Sequence, residues 1–300
     1  MSVLDFDNLS KRYGRTTALR ELTLSIPAGS VYGLLGPNGS GKTTTLGLAL
    51  GVLQPSGGAV RWFGAPPSAR ARRRVGALLE TPNFYPYLSA RQNLQIAADM
   101  KQADARSIDA ALETVGLAQR QREPVSGFSL GMKQRLAIGA ALLGQPEVLV
   151  LDEPTNGLDP QGIADVRELV RRLGAEGRTI VMASHLLDEI EKVCTHVAVL
   201  HQGQLRASGP VAGILSTADR VVLGLAPGTA TEVLRAALSI LSFVHDVRPE
   251  AEGRVSCALA LGHSPASLNQ ALFAQGLALA HLEMRQRRLE DQFLALINNS

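Results

Sequence analysis

Gly36-Pro37-Asn38-Gly39-Ser40-Gly41-Lys42-Thr43 joins an apolar run, VYGLL, to a helical pattern over Thr44–Leu53. Glycines at these spacings let a short loop turn tightly with its amides inward, and the helix N-terminus that follows adds partial positive charge. That chemistry cradles the β- and γ-phosphates of a nucleoside triphosphate. The binding residues would be the run from Gly36 to Thr44, with Lys42 bridging phosphate oxygens and the Thr43 hydroxyl ligating Mg2+. A second acidic site agrees with it. Val148–Leu151 is four apolar residues followed by Asp152 and Glu153, then Pro154-Thr155, a buried strand that ends in two carboxylates beside the loop. Asp152 is expected to complete the Mg2+ shell, and Glu153, pointing elsewhere, to act as general base on an attacking water. A third acid is harder to place. Glu80 closes the stretch RRRVGALLE and is followed by Pro82, Phe84, Tyr85, Pro86 and Tyr87, in a chain only 4% aromatic.

The elements that must hold these residues read as alternating strands and helices. Short apolar runs (VYGLL, VLVLD, TIVMAS, VAVL) are separated by periodic segments, with Ile108, Leu112 and Val115 on one helical face. Continuous apolar strands between helices imply an α/β domain with a largely parallel sheet buried on both faces. Alternation around Ser2–Leu9 and Leu19–Ile26 implies an antiparallel sheet ahead of it, and Gln202-Gly203 turns VAVL back into LRAS. Past about Ser216 the pattern restarts. Strands are expected at Arg220–Leu225, Phe243–Val247, Val255–Leu261 and Leu277–Glu283, with helices at Thr229–Ser242, Pro265–Gln275 and Leu289–Ile297. The strand-helix-strand-strand-helix-strand order is a split βαβ arrangement, so a small α+β domain over 216–300 follows one of about 1–215.

The bulk numbers narrow the class. Three hundred residues suit two domains, and 45% apolar with 19% charged residues is a globular composition. No apolar run is long enough to cross a bilayer, and Met1–Tyr13 lacks a signal-peptide pattern, so a cytoplasmic chain is expected. Cys194 and Cys257 fit no metal spacing and read as small core residues. A net charge of +3 is too small to argue for nucleic acid. The basic run Arg70, Arg72, Arg73 and Arg74 reads either as a solvated face or as a patch for anionic headgroups or an acidic partner.

Between the phosphate loop and the acid strand lies Ser126-Gly127-Phe128-Ser129-Leu130-Gly131-Met132-Lys133-Gln134-Arg135, and after them come Gly157-Leu158-Asp159-Pro160 and Ser184-His185. Taken in order with the phosphate loop, the set over residues 1 to about 215 resembles the ATP-binding cassette ATPases. The resemblance implies a RecA-like P-loop cassette with an antiparallel β subdomain and a helical subdomain at about 81–145. It also implies a head-to-tail dimer in which each ATP is sandwiched between one loop and the partner's signature motif. Tyr13 then stands where the family stacks an aromatic on adenine. Ser129 and Gly131 match the signature serine and second glycine, Asp159 the D-loop aspartate, and His185 the switch histidine at the γ-phosphate.

Two departures stand out. Phe-Ser-Leu-Gly-Met replaces the commoner Leu-Ser-Gly-Gly-Gln, so Leu130 and Met132 alter the dimer-facing motif. Glu80 occupies the place of the Q-loop glutamine, which reaches Mg2+ and the attacking water. A carboxylate there can still ligate metal but adds negative charge near the triphosphate, making the site more dependent on bound metal. The pattern LLE-x-P-x-F-Y-P-x-L with SLGMKQR is similar to cassettes serving bacterial exporters of antibiotics and antimicrobial peptides.

By the same resemblance, Phe84, Tyr85 and Tyr87 would line the groove that receives a helix of a separate integral-membrane permease; the alternative is that they pack the helical lobe. The working dimer would be two copies of this chain, or this chain with a related cassette, lying on the inner face of the membrane through the permease. A soluble cassette machine of the translation or DNA-repair kind is the other reading, but such machines carry two cassettes or a long coiled-coil insertion, and neither is evident here. A P-loop kinase or GTPase has no use for the signature motif. The segment Leu289–Leu294 could contact the partner cassette, or the second domain could sense a ligand. His245, His263 and His281 have no metal spacing and read as structural or surface residues.

Overall fold

Buried apolar strands set the architecture of the protein, seen in a computed structural model that describes residues 1–79, 83–214, 220–225, 231–260 and 262–285. The chain divides into two compact units, Met1–Ile214 and Leu215–Ser300. In the first, β1 (Ser2–Tyr13) and β2 (Thr16–Pro27) form an antiparallel hairpin whose alternation turns Leu4, Phe6, Leu22, Leu24 and Ile26 inward. Every residue of β3 (Val31–Leu35) is buried, and the phosphate loop connects it to α1 (Lys42–Ala49). β4 (Gly57–Trp62) returns to pair with β1, which completes a three-stranded sheet of order β2-β1-β4.

After α2 (Ala69–Arg73) and β5 (Val75–Leu78), three helices form the helical lobe: α3 (Ala90–Lys101), α4 (Arg106–Thr114) and α5 (Leu130–Leu142). Ser89 starts α3 with a capping box to Gln92, and Ile108, Leu112 and Val115 are buried as their spacing implies. The chain then alternates: β6 (Val148–Asp152), α6 (Pro160–Ala175), β7 (Thr179–Ser184), α7 (Leu187–Val193), β8 (His196–His201), β9 (Gln204–Pro210) and α8 (Val211–Ile214). The main sheet runs β5-β6-β7-β3-β8-β9, parallel from β5 to β8, with β9 antiparallel at the edge. Val148–Leu151 and Ile180–Val181 have no exposed surface, so each aliphatic side chain there stabilises the sheet by about 1.5–3 kcal/mol.

Some boundaries differ from the sequence pattern. α1 starts at Lys42, inside the loop motif, and ends at Ala49 because Gly51 turns the chain at φ 73° and Leu53 folds back with its amide on the Gly47 carbonyl. β4 is invisible to alternation because it opens on two glycines, while α2 and β5 are too short for a periodic signal. The basic run splits in two. Arg74 is held by Glu147 and stacks over Phe63 at 3.4 Å, whereas Arg70, Arg72 and Arg73 are exposed on α2. Burial pushes the Cys194 thiol up to about 12 and that of Cys257 to about 11, so both remain protonated core residues at neutral pH.

The second unit contains β10 (Arg220–Leu225), α9 (Thr231–Ser239), β11 (Val244–Pro249), β12 (Val255–Leu259), α10 (Pro265–Ala274) and β13 (Leu279–Arg285). Its sheet order is β11-β12-β10-β13, antiparallel throughout, which is the split βαβ topology. Val221, Leu223, Leu234, Leu238, Val255 and Leu268 form its core. Arg220, 8% exposed, bridges strands by donating to Asp246 Oδ2 at 2.6 Å and Ser256 Oγ at 3.1 Å. His263 stacks on Phe243. The helix expected at Leu289–Ile297 lies outside the described residues.

Trp62, 1% exposed, ties β4 of the three-stranded sheet to α1: its indole Nε1 donates to the Ala49 carbonyl at 2.6 Å, at the end of that helix. Trp62→Ala should cost about 3–5 kcal/mol, from lost burial and an uncapped helix end. Urea unfolding followed by far-UV circular dichroism checks this, since the substitution removes the only tryptophan.

Candidate functional site

The site grows from three strand ends at one edge of the main sheet. Leu35 lies opposite Ser184 across β3 and β7, and Asp152 lies opposite Ala183 across β6 and β7. The next residues continue that alignment: the Gly36 amide donates to the Ser184 carbonyl at 3.4 Å and the Glu153 amide to the Ala183 carbonyl at 3.0 Å. Gly36 must be glycine, because a Cβ there would stand 2.3 Å from the Leu200 carbonyl oxygen. Gly41 caps α1 at φ 105°, left-handed geometry that favours glycine, and a Cβ on it would meet the Ala18 carbonyl at 2.8 Å.

Pro37, Asn38 and Gly39 form the exposed tip of the loop, while Ser40 and Lys42 are buried at 2% and 5% exposure. The first-turn amides of α1, at Lys42, Thr43 and Thr44, have no partner within the helix. Ser40 Oγ is buried without a hydrogen-bond partner. Lys42 Nζ donates to the Gly36 and Pro37 carbonyls at 2.7 and 3.3 Å and lies 3.4 Å from Glu153 Oε1. An orphaned buried hydroxyl, free amides and a buried ammonium together suit a phosphate chain.

Glu153 is the hinge of the acid strand. It takes φ 46°, unusual for a residue with a side chain, and its carboxylate bridges Lys42 on one oxygen and His185 Nδ1 on the other, at 2.8 Å. A carboxylate that accepts at this contact does so from a protonated Nδ1 of His185, the tautomer that leaves Nε2 for another partner. Asp152 is 3% exposed, and Thr43 is the exposed second residue of α1. Glu80 lies outside the described residues.

Ser129, Gly131 and Asp159 form a separate cluster. Ser129 caps α5, its Oγ accepting from the Met132 amide at 3.2 Å, and Asp159 caps α6, its Oδ1 accepting from the Gly162 amide at 2.9 Å. The two helix starts meet: a Cβ on Gly131 would lie 3.6 Å from Gly162 Cα. Both caps are exposed, and no hydrogen bond or ion pair among the described residues joins them to the phosphate loop. Met132 packs inward at 9% exposure with its sulfur on Arg120, whereas Leu130 is 43% exposed over Gly157. Tyr13, 46% exposed, ends β1 with Lys11 over its ring.

Phe84 is half-buried, while Tyr85 and Tyr87 are 51% and 73% exposed with ring centroids 6.0 Å apart. Phe84 and Tyr85 line a cavity of about 390 Å³ with Asn83, Asn93, Ile96 and Met100. Asn93, buried on α3, shapes its rim by accepting from the Tyr85 amide and donating to the Tyr85, Leu88 and Ser89 carbonyls. Sequence reasoning passed over Asn93, and also Thr155 and Glu189, a buried pair in which the Thr155 hydroxyl donates to Glu189. Glu189 is one of three acids in the short helix Leu187–Val193, so nothing in the local pattern singles it out.

Residues 19–156 match the protein family described as ABC transporter. Over 302 residues the chain is 37% identical to the bacitracin transport ATP-binding protein BcrA of Bacillus licheniformis, covering 99% of this chain and 97% of that one. It is 39% identical over 203 residues to the lantibiotic transport ATP-binding protein SrtF of Streptococcus pyogenes, covering 68% of this chain and 89% of that one. Among solved structures, cbiO1 from Clostridium perfringens, part of the ABC transporter complex cbiONQ, superposes with a TM-score of 0.64 at 29% identity, covering 71% of this chain and 90% of that one.

Lys42→Ala removes the ammonium that joins the loop to Glu153. It should weaken ATP binding at least about a hundredfold, the scale of a lost buried charge contact; titration calorimetry or fluorescent-nucleotide displacement measures it. Affinity within about threefold of wild type would show that the loop does not engage phosphate through Lys42.

Proposed function

The chain belongs to the ABC transporter family, as an ATP-hydrolysing subunit, and on that premise we propose that it drives an exporter of peptide antibiotics through a separate permease. The observation that carries the hydrolytic part is the row Lys42–Glu153–His185, joined at 3.4 and 2.8 Å. In this reading Lys42, Ser40 and the first amides of α1 bind the β- and γ-phosphates. Glu153 takes a proton from water as that water's oxygen attacks the γ-phosphorus, and the bond to the leaving ADP oxygen breaks with its electron pair. His185, fixed through Nδ1, offers Nε2 to the γ-phosphate or the attacking water. Thr43, Asp152 and Glu80 would hold Mg2+, which neutralises charge on the triphosphate.

Ser129, Gly131 and Asp159 belong to the partner's site in this reading. Their helix starts are exposed, adjacent and unconnected to this chain's own loop, which suits anion contacts across a head-to-tail dimer. Tyr13 stacks on adenine. Residues 1–215 act as the cassette and 216–300 as an accessory domain.

The docking surface is the turn bearing Phe84, Tyr85 and Tyr87 with its cavity. No helix among the described residues is long and apolar enough to cross a membrane, so the membrane path is assigned to another polypeptide. Two exposed tyrosines above an apolar-walled hollow suit a helix of that partner; in this reading the cassette lies on the inner face of the cell membrane through it. The cargo class rests on relatives named for bacitracin and lantibiotic transport.

Glu153→Gln should bind ATP at wild-type affinity, turn over at least about a hundredfold more slowly and accumulate as a closed dimer on gel filtration with ATP. Turnover near the wild-type rate would remove Glu153 as the base. For the coupling part, a tagged chain purified from detergent-solubilised host membranes should bring down a stoichiometric multi-span protein. Tyr85→Ala with Tyr87→Ala should lose it while keeping ATP affinity. Recovery of soluble partners alone would favour a cassette machine that is not coupled to a permease.

A further inference from the structure

Two side-chain links tie the same pair of segments together beyond the end of the sheet. The first is Glu153 to His185 at 2.8 Å. The second lies two residues further along one segment and four along the other, where the Thr155 hydroxyl donates to Glu189 Oε2. Both Thr155 and Glu189 are 4% exposed. Among the described residues no backbone hydrogen bond joins 154–158 to 185–190, the last such contact between the two segments being that of the Glu153 amide with the Ala183 carbonyl. The β6 chain turns away through Glu153 at φ 46°, and the β7 chain enters α7. Past that point side chains hold the two segments together.

Glu189 is a costly residue for a purely structural place. Its Oε1 is buried without a hydrogen-bond partner, so the carboxyl keeps one hydrogen bond where water would supply several. Burial pushes its pKa up, against the opposing pull of the Thr155 hydroxyl and of Arg167 on α6, with Glu153 and Asp188 adding to the rise. A leucine at this position would fill an apolar helix face without that penalty. The carboxyl is best explained by what it grips.

We propose that Glu189 is a positioning residue for hydrolysis: by accepting from Thr155 it holds the start of α7, and so His185, at the separation where Nδ1 meets the Glu153 carboxylate. The inference rests on the reading of Glu153 and His185 as the hydrolytic pair. The lever is short. His185 lies four residues before Glu189 and Glu153 two before Thr155, so loosening the outer link lets the inner one lengthen. With that link relaxed, the Glu153 carboxylate is left to Lys42, 3.4 Å away, which draws it from the water it should activate.

The test is steady-state ATP hydrolysis by the full chain with its membrane partner, for Thr155→Val, Thr155→Ser, Glu189→Gln and Glu153→Gln. Thr155→Val keeps the shape but removes the donor; it should lower kcat at least about tenfold with KM for ATP within about twofold, as misplacement of a catalytic group does. Thr155→Ser and Glu189→Gln retain a donor and an acceptor, and should stay within about threefold of wild type. The proposal is overturned if Thr155→Val turns over normally, if kcat and KM worsen together in step with a lower Tm, or if Glu189→Gln is as slow as Thr155→Val. A normal Thr155→Val beside an inactive Glu153→Gln removes the clamp alone. A normal rate in Glu153→Gln removes the hydrolytic reading and the clamp with it.

Discussion

The parallel register of β6, β7 and β3 sets the height at which three chains leave the main sheet, and the site consists of what those chains do next. Asp152 sits opposite Ala183 and Leu35 opposite Ser184, so Gly36, Glu153 and His185 emerge at one edge. A slip of one residue would move a strand by about 3.3 Å against its neighbour. That is more than the 2.8 Å contact between Glu153 and His185 could absorb. The register in turn depends on strands buried on both faces, where aliphatic side chains interlock with helices and cannot shift without opening voids. The geometry of the proposed site is therefore secured by apolar packing beneath it.

Charge is arranged on that frame with little to spare. Lys42 is almost wholly buried, which would be costly for a lone ammonium, and two loop carbonyls and the Glu153 carboxylate compensate it. Glu153 has the opposite difficulty. In the proposed role its carboxylate would be repelled by the triphosphate, and Lys42 on one oxygen with His185 on the other holds it in place. Each member of the row is thus stabilised by its neighbour, so they act as a unit.

The helical lobe and the second unit follow the same logic with different means. In the lobe, Asn93 spends its side-chain amide on the backbone of the turn that carries Tyr85, leaving two tyrosine rings outward above an apolar hollow. In the second unit, Arg220 ties β10 to β11 and β12 through Asp246 and Ser256, and hydrogen bonds from Arg248 and Arg220 hold the Asp246 carboxyl below its usual range. Buried polar side chains there fix the arrangement of short strands whose apolar residues alone would leave it loose.

The sequence by itself determined the phosphate loop, the acid strand, the signature segment and the alternation of buried strands with helices, because each depends on residues consecutive in the chain. A loop that wraps phosphate needs its glycines and lysine at fixed offsets, and a strand buried on both faces needs an unbroken apolar run. The split βαβ order of the second unit was legible for the same reason. Tertiary structure alone decided the rest. β4 hides behind two glycines, and Trp62 gains its role from a carbonyl on α1. Met132, in the signature segment, packs inward. The pairing of Thr155 with Glu189 joins residues on different strands' exits, and nothing local marks either one. Such contacts are set by which strands lie side by side and in what register, and that is a property of the packed sheet rather than of any stretch of chain.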